Sequence, residues 1–309
     1  MIARHLAMPL SAGFEEQDRA DLMSLLDTLG APVVELTPLS GCGYPGYRPT
    51  AFRARLGDGR HVKVRTLASV ESAERIEFVS HHVQAGHLPR VLGRAGRALL
   101  TEWVDGSEID AAAADDALLA QCGAVQGLVH SQPMPDPNPF LHPTPLLPRQ
   151  RRFERRVAEL AGSGTIGRDE ARQTLALAER FAPRDCRIGF LFGDFCPENL
   201  VVRPSGELCC VDTETLMVGP CAYDLGRTWY RWPMTRRQRT TYLDAYQRHC
   251  SADVFVQHFP YWLLTAIVDS AAFRLQARAD AAAVPIAHLR AFLHTCAREV
   301  AVDELVFAC

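Results

Sequence analysis

At 309 residues the chain is long enough for two lobes around one cleft, and a composition of 48% hydrophobic and 22% charged residues is that of a globular protein. A formal net charge of −3 gives no electrostatic reason to expect nucleic acid or an anionic membrane as partner. The strongest apolar run, residues 259–268, is about half a bilayer span and ends at Asp269. Ten cysteines are scattered without a C-x-x-C pair, which speaks against a zinc ribbon or a disulfide framework. Reduced core cysteines and an N-terminus without a continuous apolar stretch fit a cytoplasmic protein.

In chain order, residues 15–29 carry Leu22, Leu25, Leu26 and Leu29 at helical spacing, and Gly30 and Pro32 stop that helix. A strand over 33–36 leads into Ser40-Gly41-Cys42-Gly43-Tyr44-Pro45-Gly46. This G-x-G-x-x-G is weak by itself, because a dinucleotide-binding fold needs a helix directly after it. Instead Phe52, Ala54 and Leu56 alternate with Arg53 and Arg55, the turn Gly57-Asp58-Gly59 follows, and residues 61–65 return as the hairpin partner. A glycine loop between antiparallel strands lets backbone N–H groups approach phosphates, with Gly41 and Gly43 as the expected contacts. A surface loop without a ligand is the alternative.

Lys63 lies on the returning strand in VKVR and is the only lysine; the other 32 basic residues are arginine. A compact ammonium retained where the chain otherwise uses guanidinium marks a position for phosphate contact. The helix after it, about 70–84, carries Glu71, Glu74 and Glu77. Glu77 is the expected partner of Lys63, and Glu74 the alternative. Strands are expected over 88–92 and 98–104. The second ends in LLTEWVDG, a hinge-like segment in which the backbone of Glu102 and Val104 would bond an adenine edge, while Trp103 packs.

Beyond Asp105 the pattern turns helical, first over 115–131. Seven prolines between 133 and 148 make an irregular excursion. RQRRFERR at 149–156 opens another helix and reads as a solvated basic face, and a further helix covers 169–181. An apolar strand, 188–192, then runs into Gly193-Asp194, with Asn199 five residues on. A hairpin through 200–202 and 208–211 delivers Asp212. Aspartate, asparagine five residues later and a second aspartate past a hairpin is the spacing of a kinase catalytic loop and magnesium site. Asp194 would face the attacking hydroxyl, and Asn199 and Asp212 would hold the metal. Asp224 is expected to cap the helix carrying Trp229, with more helices over 235–250, 260–279 and 286–301.

The strand lysine in VKVR, the segment LLTEWVDG, the loop LFGDFCPENLVV and the stretch VDTETLMVGPCAYDLG stand in the order and spacing of one family. The chain resembles the aminoglycoside phosphotransferase and choline kinase-like phosphotransferases, from about residue 36 to 230, and GLVHS matches the helix before that family's insert. The resemblance implies an α+β, bilobal protein-kinase-like fold. A small antiparallel-sheet N-lobe would cover residues 1–104 and a mostly helical C-lobe residues 105–309. It also implies ATP, in some members GTP, with Mg²⁺, and transfer of the γ-phosphoryl group to a hydroxyl of an amino sugar, an antibiotic or another hydroxylated metabolite. Asp194 becomes the catalytic base, Asn199 and Asp212 the metal ligands, and Lys63 the α/β-phosphate contact partnered by Glu77.

Two positions depart from the family. Phe192 replaces the usual histidine and is expected to substitute for it by packing, and Thr213 stands where tryptophan is frequent. A nucleotide-binding pseudokinase scaffold is the alternative function, and a dinucleotide-dependent oxidoreductase is disfavoured by the strand after the glycine loop. From residue 235 onward seven acidic side chains face eight arginines, so composition gives no support for a strongly anionic acceptor site. A few well-placed carboxylates, such as Asp244 or Asp269, would still suffice for a cationic acceptor. The sequence carries no signal of oligomeric state.

Overall fold

The computed structural model describes residues 16–39, 50–83, 86–277 and 279–297. The glycine loop with Gly41 and Gly43 lies outside them. The chain divides into two compact units, one made of the residues up to Ser107 together with Val201–Leu216, the other of Glu108–Leu200 and the residues from Met217 onward.

The first unit begins with helix α1 (Glu16–Asp27), strands β1 (Val33–Pro38), β2 (Ala51–Leu56) and β3 (His61–Thr66), helix α2 (Val70–His82), and strands β4 (Val91–Ala95) and β5 (Ala98–Glu102). Its sheet has the order β1-β2-β3-β5-β4, antiparallel throughout. The period-two pattern decides which face is buried. Phe52 and Ala54 lie opposite Val64 and Val62, and all four join Leu22, Leu25 and Leu26 of α1 in one core. Each such large side chain is worth about 2 kcal/mol relative to leaving it exposed. Ser69 caps α2 by accepting the Ser72 N–H at 3.1 Å.

The fourth strand is displaced from its expected position, starting at Val91 rather than Leu88. Leu88 and Pro89 are buried, so the apolar run is genuine, but Pro89 has no N–H to give a ladder.

A two-residue strand, β6 (Ser107–Glu108), precedes the helices α3 (Asp116–Ser131), α4 (Leu146–Gly162) and α5 (Arg168–Phe181) and the strand β7 (Ile188–Leu191). A single 3₁₀ turn, Pro197–Asn199, leads to the hairpin β8 (Leu200–Val202) and β9 (Leu208–Cys210). This hairpin groups with the first unit, whereas the sequence placed everything after residue 104 in the second lobe. The reason is local bonding: the Cys210 N–H donates to the His87 carbonyl at 3.0 Å, and Arg203 pairs with Glu102 at 2.6 Å.

The chain then completes the second unit with β10 (Met217–Pro220), which pairs antiparallel with β7, and with helices α6 (Cys221–Arg231), α7 (Arg236–Gln247), α8 (Asp253–Gln257), α9 (Phe259–Ala277) and α10 (Ala283–Ala297). The core of this unit is α9, with Trp262, Leu264, Ile267, Val268 and Ala271 fully buried. Helices α3 and α7 pack very closely. A Cβ at Gly123 would lie 2.1 Å from the Tyr242 carbonyl oxygen, so only glycine admits this approach. Among the described residues no helix is long and apolar enough to cross a membrane.

Candidate active site

In the second unit, strand β7 is short, apolar and buried, and it ends at a turn whose geometry sets the site. Gly193 has φ +76°, a left-handed conformation that an L side chain resists, and it swings the chain so that Asp194 follows. Phe192 before it is fully buried and packs on Phe195 with ring centroids 4.5 Å apart, the packing expected of a residue in place of histidine.

The turn is held from below by Asp224. Its carboxylate accepts the N–H of Gly193 at 2.8 Å and of Phe192 at 3.1 Å. It also accepts from Gln126 Nε2 at 3.2 Å and His130 Nε2 at 3.0 Å, and Tyr246 bonds the far nitrogen of that imidazole at 2.8 Å. Asp224 is therefore not the helix cap expected of it. Helix α6 begins three residues earlier, after Pro220, which leaves Asp224 inside the first turn and facing the loop. A fully buried carboxylate with this many donors fixes the loop rather than the helix end. His130 in GLVHS and Asp224 in YDLG belong to the matching sequence blocks, and that match is the one signal that could have marked them.

Asp194 is held on two sides. Arg227 of α6 donates from Nη2 to Oδ1 at 2.7 Å, and Asn199 donates from Nδ2 to Oδ2 at 3.2 Å and to the Asp194 carbonyl at 2.9 Å. Burial alone would raise the pKa of Asp194, but the charges of Arg227 and Arg231 outweigh it and hold the group below the usual aspartate range. The carboxylate is thus ionised and aimed, as a hydrogen-bond acceptor for a hydroxyl must be. With its amide nitrogen turned to Asp194, Asn199 keeps its Oδ1 free of hydrogen bonds among the described residues.

In the first unit, Val62 and Val64 of β3 enter the core, which sends Lys63 and Arg65 to the other face. Lys63 Nζ donates to the Val211 carbonyl at 3.1 Å. Burial lowers its pKa, Arg65 adds to that, and Asp212 and Glu214 oppose it. Arg65 is 5% exposed and bonds Asp212 at 3.0 Å and Glu214 at 2.5 Å. Sequence reasoning passed over Arg65, one of 32 arginines.

Glu77 does not meet Lys63. Its carboxylate is taken by Arg94 of β4 at 2.8 Å, and Glu74 reaches the same guanidinium at 3.7 Å. The expected pairing fails because the strand beside α2 supplies a longer, bidentate-capable cation. In the hinge-like segment the Glu102 N–H donates to the Arg90 carbonyl at 2.9 Å. The N–H and carbonyl of Val104 have no hydrogen-bond partner among the described residues. Trp103 carries Arg53 over its ring, 4.7 Å from the centroid.

Residues 45–256 match the profile of the phosphotransferase enzyme family, APH. No curated protein matches the chain in sequence. Among solved structures, choline kinase LicA from Streptococcus pneumoniae superposes with a TM-score of 0.66 at 12% identity, over 91% of this chain and 100% of that one. Plasmodium vivax ethanolamine kinase gives 0.62 at 11% identity, over 86% and 83%. An aminoglycoside-3′-phosphotransferase of type VIII gives 0.57 at 20% identity, over 82% and 99%. At such identities these are likenesses of fold, and the fold is kinase-like: an antiparallel sheet unit and a mostly helical one. The profile, by contrast, spans more than half of the sequence, and on that ground the chain belongs to the phosphotransferase enzyme family.

Proposed function

We propose that this family member moves the γ-phosphoryl group of ATP, with Mg²⁺, to a hydroxyl of a small molecule. The observation that carries this reading is Asp194: ionised, hydrogen-bonded by the asparagine five residues after it, and set on a glycine turn that Asp224 fixes. The acceptor hydroxyl donates to Asp194 and gives up its proton late. The new O–P bond forms as the bond from the γ-phosphorus to the β–γ bridging oxygen breaks, and ADP leaves. Lys63 supplies positive charge to the α- and β-phosphates. Most of the acceleration comes from positioning and charge, with no covalent intermediate on the protein.

The donor chemistry of Asn199 and Asp212 suits a magnesium ion in this reading. Asn199 offers an unpartnered amide oxygen and Asp212 a carboxylate, hard oxygen donors of the kind Mg²⁺ takes alongside phosphates. When bound, the ion neutralises charge on the β- and γ-phosphate oxygens. The glycine loop with Gly41 and Gly43, and the backbone of Glu102 and Val104, complete the nucleotide contacts in this reading. Glu77 is left out of them, because Arg94 holds it. The eight described cysteines are free, which supports a reducing, cytoplasmic setting. Phe192, in place of the family's histidine, is a fully buried residue packed on Phe195, so its presence does not favour a catalytically silent scaffold.

The test is ADP release with MgATP over sugars, amino sugars, sugar acids, amino alcohols, hydroxy acids and antibiotics. Turnover with one class is expected, and Asp194→Asn should lower it by about 10²-fold or more while MgATP still binds. Full activity in that variant, or no turnover with any class, overturns the reading.

A further inference from the structure

Helix α6 turns one face toward Asp194 and fills it with arginine. Arg227 and Arg231 are one helical turn apart, and both charges act on that carboxylate. Arg227 spends one Nη on Asp194, while its buried Nε has no hydrogen-bond partner. Arg231 bonds the Cys196 sulfur at 3.5 Å and pairs at 3.8 Å with Glu198, which is 66% exposed.

The buried carboxylate beside α6 is already taken. Asp269, 3% exposed, accepts from Tyr223 of α6 at 2.8 Å, from Arg149 at 3.2 Å and from Arg152 at 3.3 Å. Arg149 also lies over the Tyr223 ring, 3.4 Å from its centroid. Arg149 and Arg152 line a cavity of about 320 Å³, together with His142, Phe140 and Pro220. Four guanidinium groups therefore stand around the partly buried Asp194 and the buried Asp269, each already bonded. A polycationic or quaternary-ammonium acceptor would find here only Glu198, itself paired with Arg231, and would meet like charge. An anion would find donors in surplus, with the planar fork that suits carboxylate and phosphate.

We infer that the acceptor is an anionic hydroxy compound, whose carboxylate or phosphate binds Arg227 and Arg231 while its hydroxyl bonds Asp194. This rests on the phosphotransfer reading above and names its substrate class. Because Arg227 touches Asp194 directly, the reacting hydroxyl and the anion would lie roughly 4–7 Å apart. That is the separation of hydroxy acids, sugar acids and phosphorylated polyols. Anion binding would also draw on the Arg227 guanidinium and leave more of Asp194 for the hydroxyl.

The test uses matched probes that differ only at one end: gluconate, glucitol and 1-amino-1-deoxyglucitol, and glycerate, glycerol and 3-amino-1,2-propanediol. Binding of each to the full chain with Mg²⁺ and a non-hydrolysable ATP analogue is measured by calorimetry, beside ADP release with MgATP. In at least one set the carboxylate member should bind about tenfold or more tighter than both others. Arg231→Met should erase that preference without changing the KM for MgATP, and Arg231→Lys should restore part of it. Arg231→Gln serves if the Met variant melts early. Equal or absent binding across both sets, preference for the ammonium members, or an Arg231 effect confined to MgATP overturns the inference. Failure of the wild-type chain to bind the ATP analogue would instead sink the phosphotransfer reading itself.

Discussion

Arg94 Nε holds the Glu77 carboxylate at 2.8 Å, and Lys63, the partner that family logic assigns to Glu77, donates to the Val211 carbonyl instead. The two residues therefore separate in function. Glu77→Gln removes a partly exposed ion pair between α2 and β4, worth under about 1 kcal/mol, and should leave the KM for MgATP within about twofold. Lys63→Met removes a part-buried cation from the proposed phosphate contact and should raise that KM by about tenfold or more, with a lower kcat. Steady-state kinetics on the two variants decide the matter. Equal damage from both would restore the Glu77–Lys63 pair.

The residues that announced the site did so through chain-local regularities. Period-two alternation showed β2 and β3, the solitary lysine fell on β3, and the five-residue step from Asp194 to Asn199 lies within one short loop. What stayed hidden is tertiary. Asp224 gains its role from donors in α3 and in the loop after β7, up to 98 residues away in sequence, so its own neighbours could only suggest a helix cap. Arg149 sits in a basic run that reads as solvent-facing, yet it is 8% exposed because Asp269 waits 120 residues further on. The β4 displacement has the same origin: an apolar run shows that residues are buried, not that they are bonded in a ladder.

The pH profile should report the arginines around Asp194. Its folded pKa is depressed, so the ionised carboxylate is lost only as pH falls through that depressed value, below the ordinary 3.8. The acid limb of kcat/KM should therefore lie below the usual aspartate range in the wild type. Arg227→Met removes the larger opposing charge, leaves burial to act, and should move that limb to higher pH. An unmoved limb in the variant would mean that Arg227 does not set the ionisation of Asp194.

Asp269 offers a stability test with a definite sign. Burial would raise its pKa, but Arg149 and Arg152 with the Tyr223 hydroxyl outweigh it and hold the group ionised. Asp269→Asn should destabilise the protein by about 3 kcal/mol, since it strands a buried guanidinium. A group with a depressed folded pKa contributes stability above its unfolded value and loses it as pH falls through the folded one. The gap in denaturation midpoint between wild type and variant should be full near neutral pH and shrink below 3.8. A gap independent of pH would show that the charge of Asp269 is not what stabilises the cluster.

The contact of α3 with α7 couples packing to the loop that carries Asp194. A methyl at Gly123 would lie 2.1 Å from the Tyr242 carbonyl, and one at Gly127 2.6 Å from that of Tyr246. Alanine should favour the isolated helix by about 1 kcal/mol, but here the backbone must retreat, and overpacking costs about 1–3 kcal/mol. A net loss of stability is expected for Gly123→Ala and for Gly127→Ala. Gly162, at the end of α4, has nothing within 4 Å of its added carbon, so Gly162→Ala should be neutral or slightly stabilising. Helix α3 also carries Gln126 and His130, whose bonds orient Asp224 beneath the Gly193 turn. Displacing that helix should therefore lower kcat more than it raises either KM. Thermal melts and steady-state kinetics on the three alanine variants separate the two effects, and a Gly123→Ala protein as stable and active as wild type would mean that the helices do not need this approach.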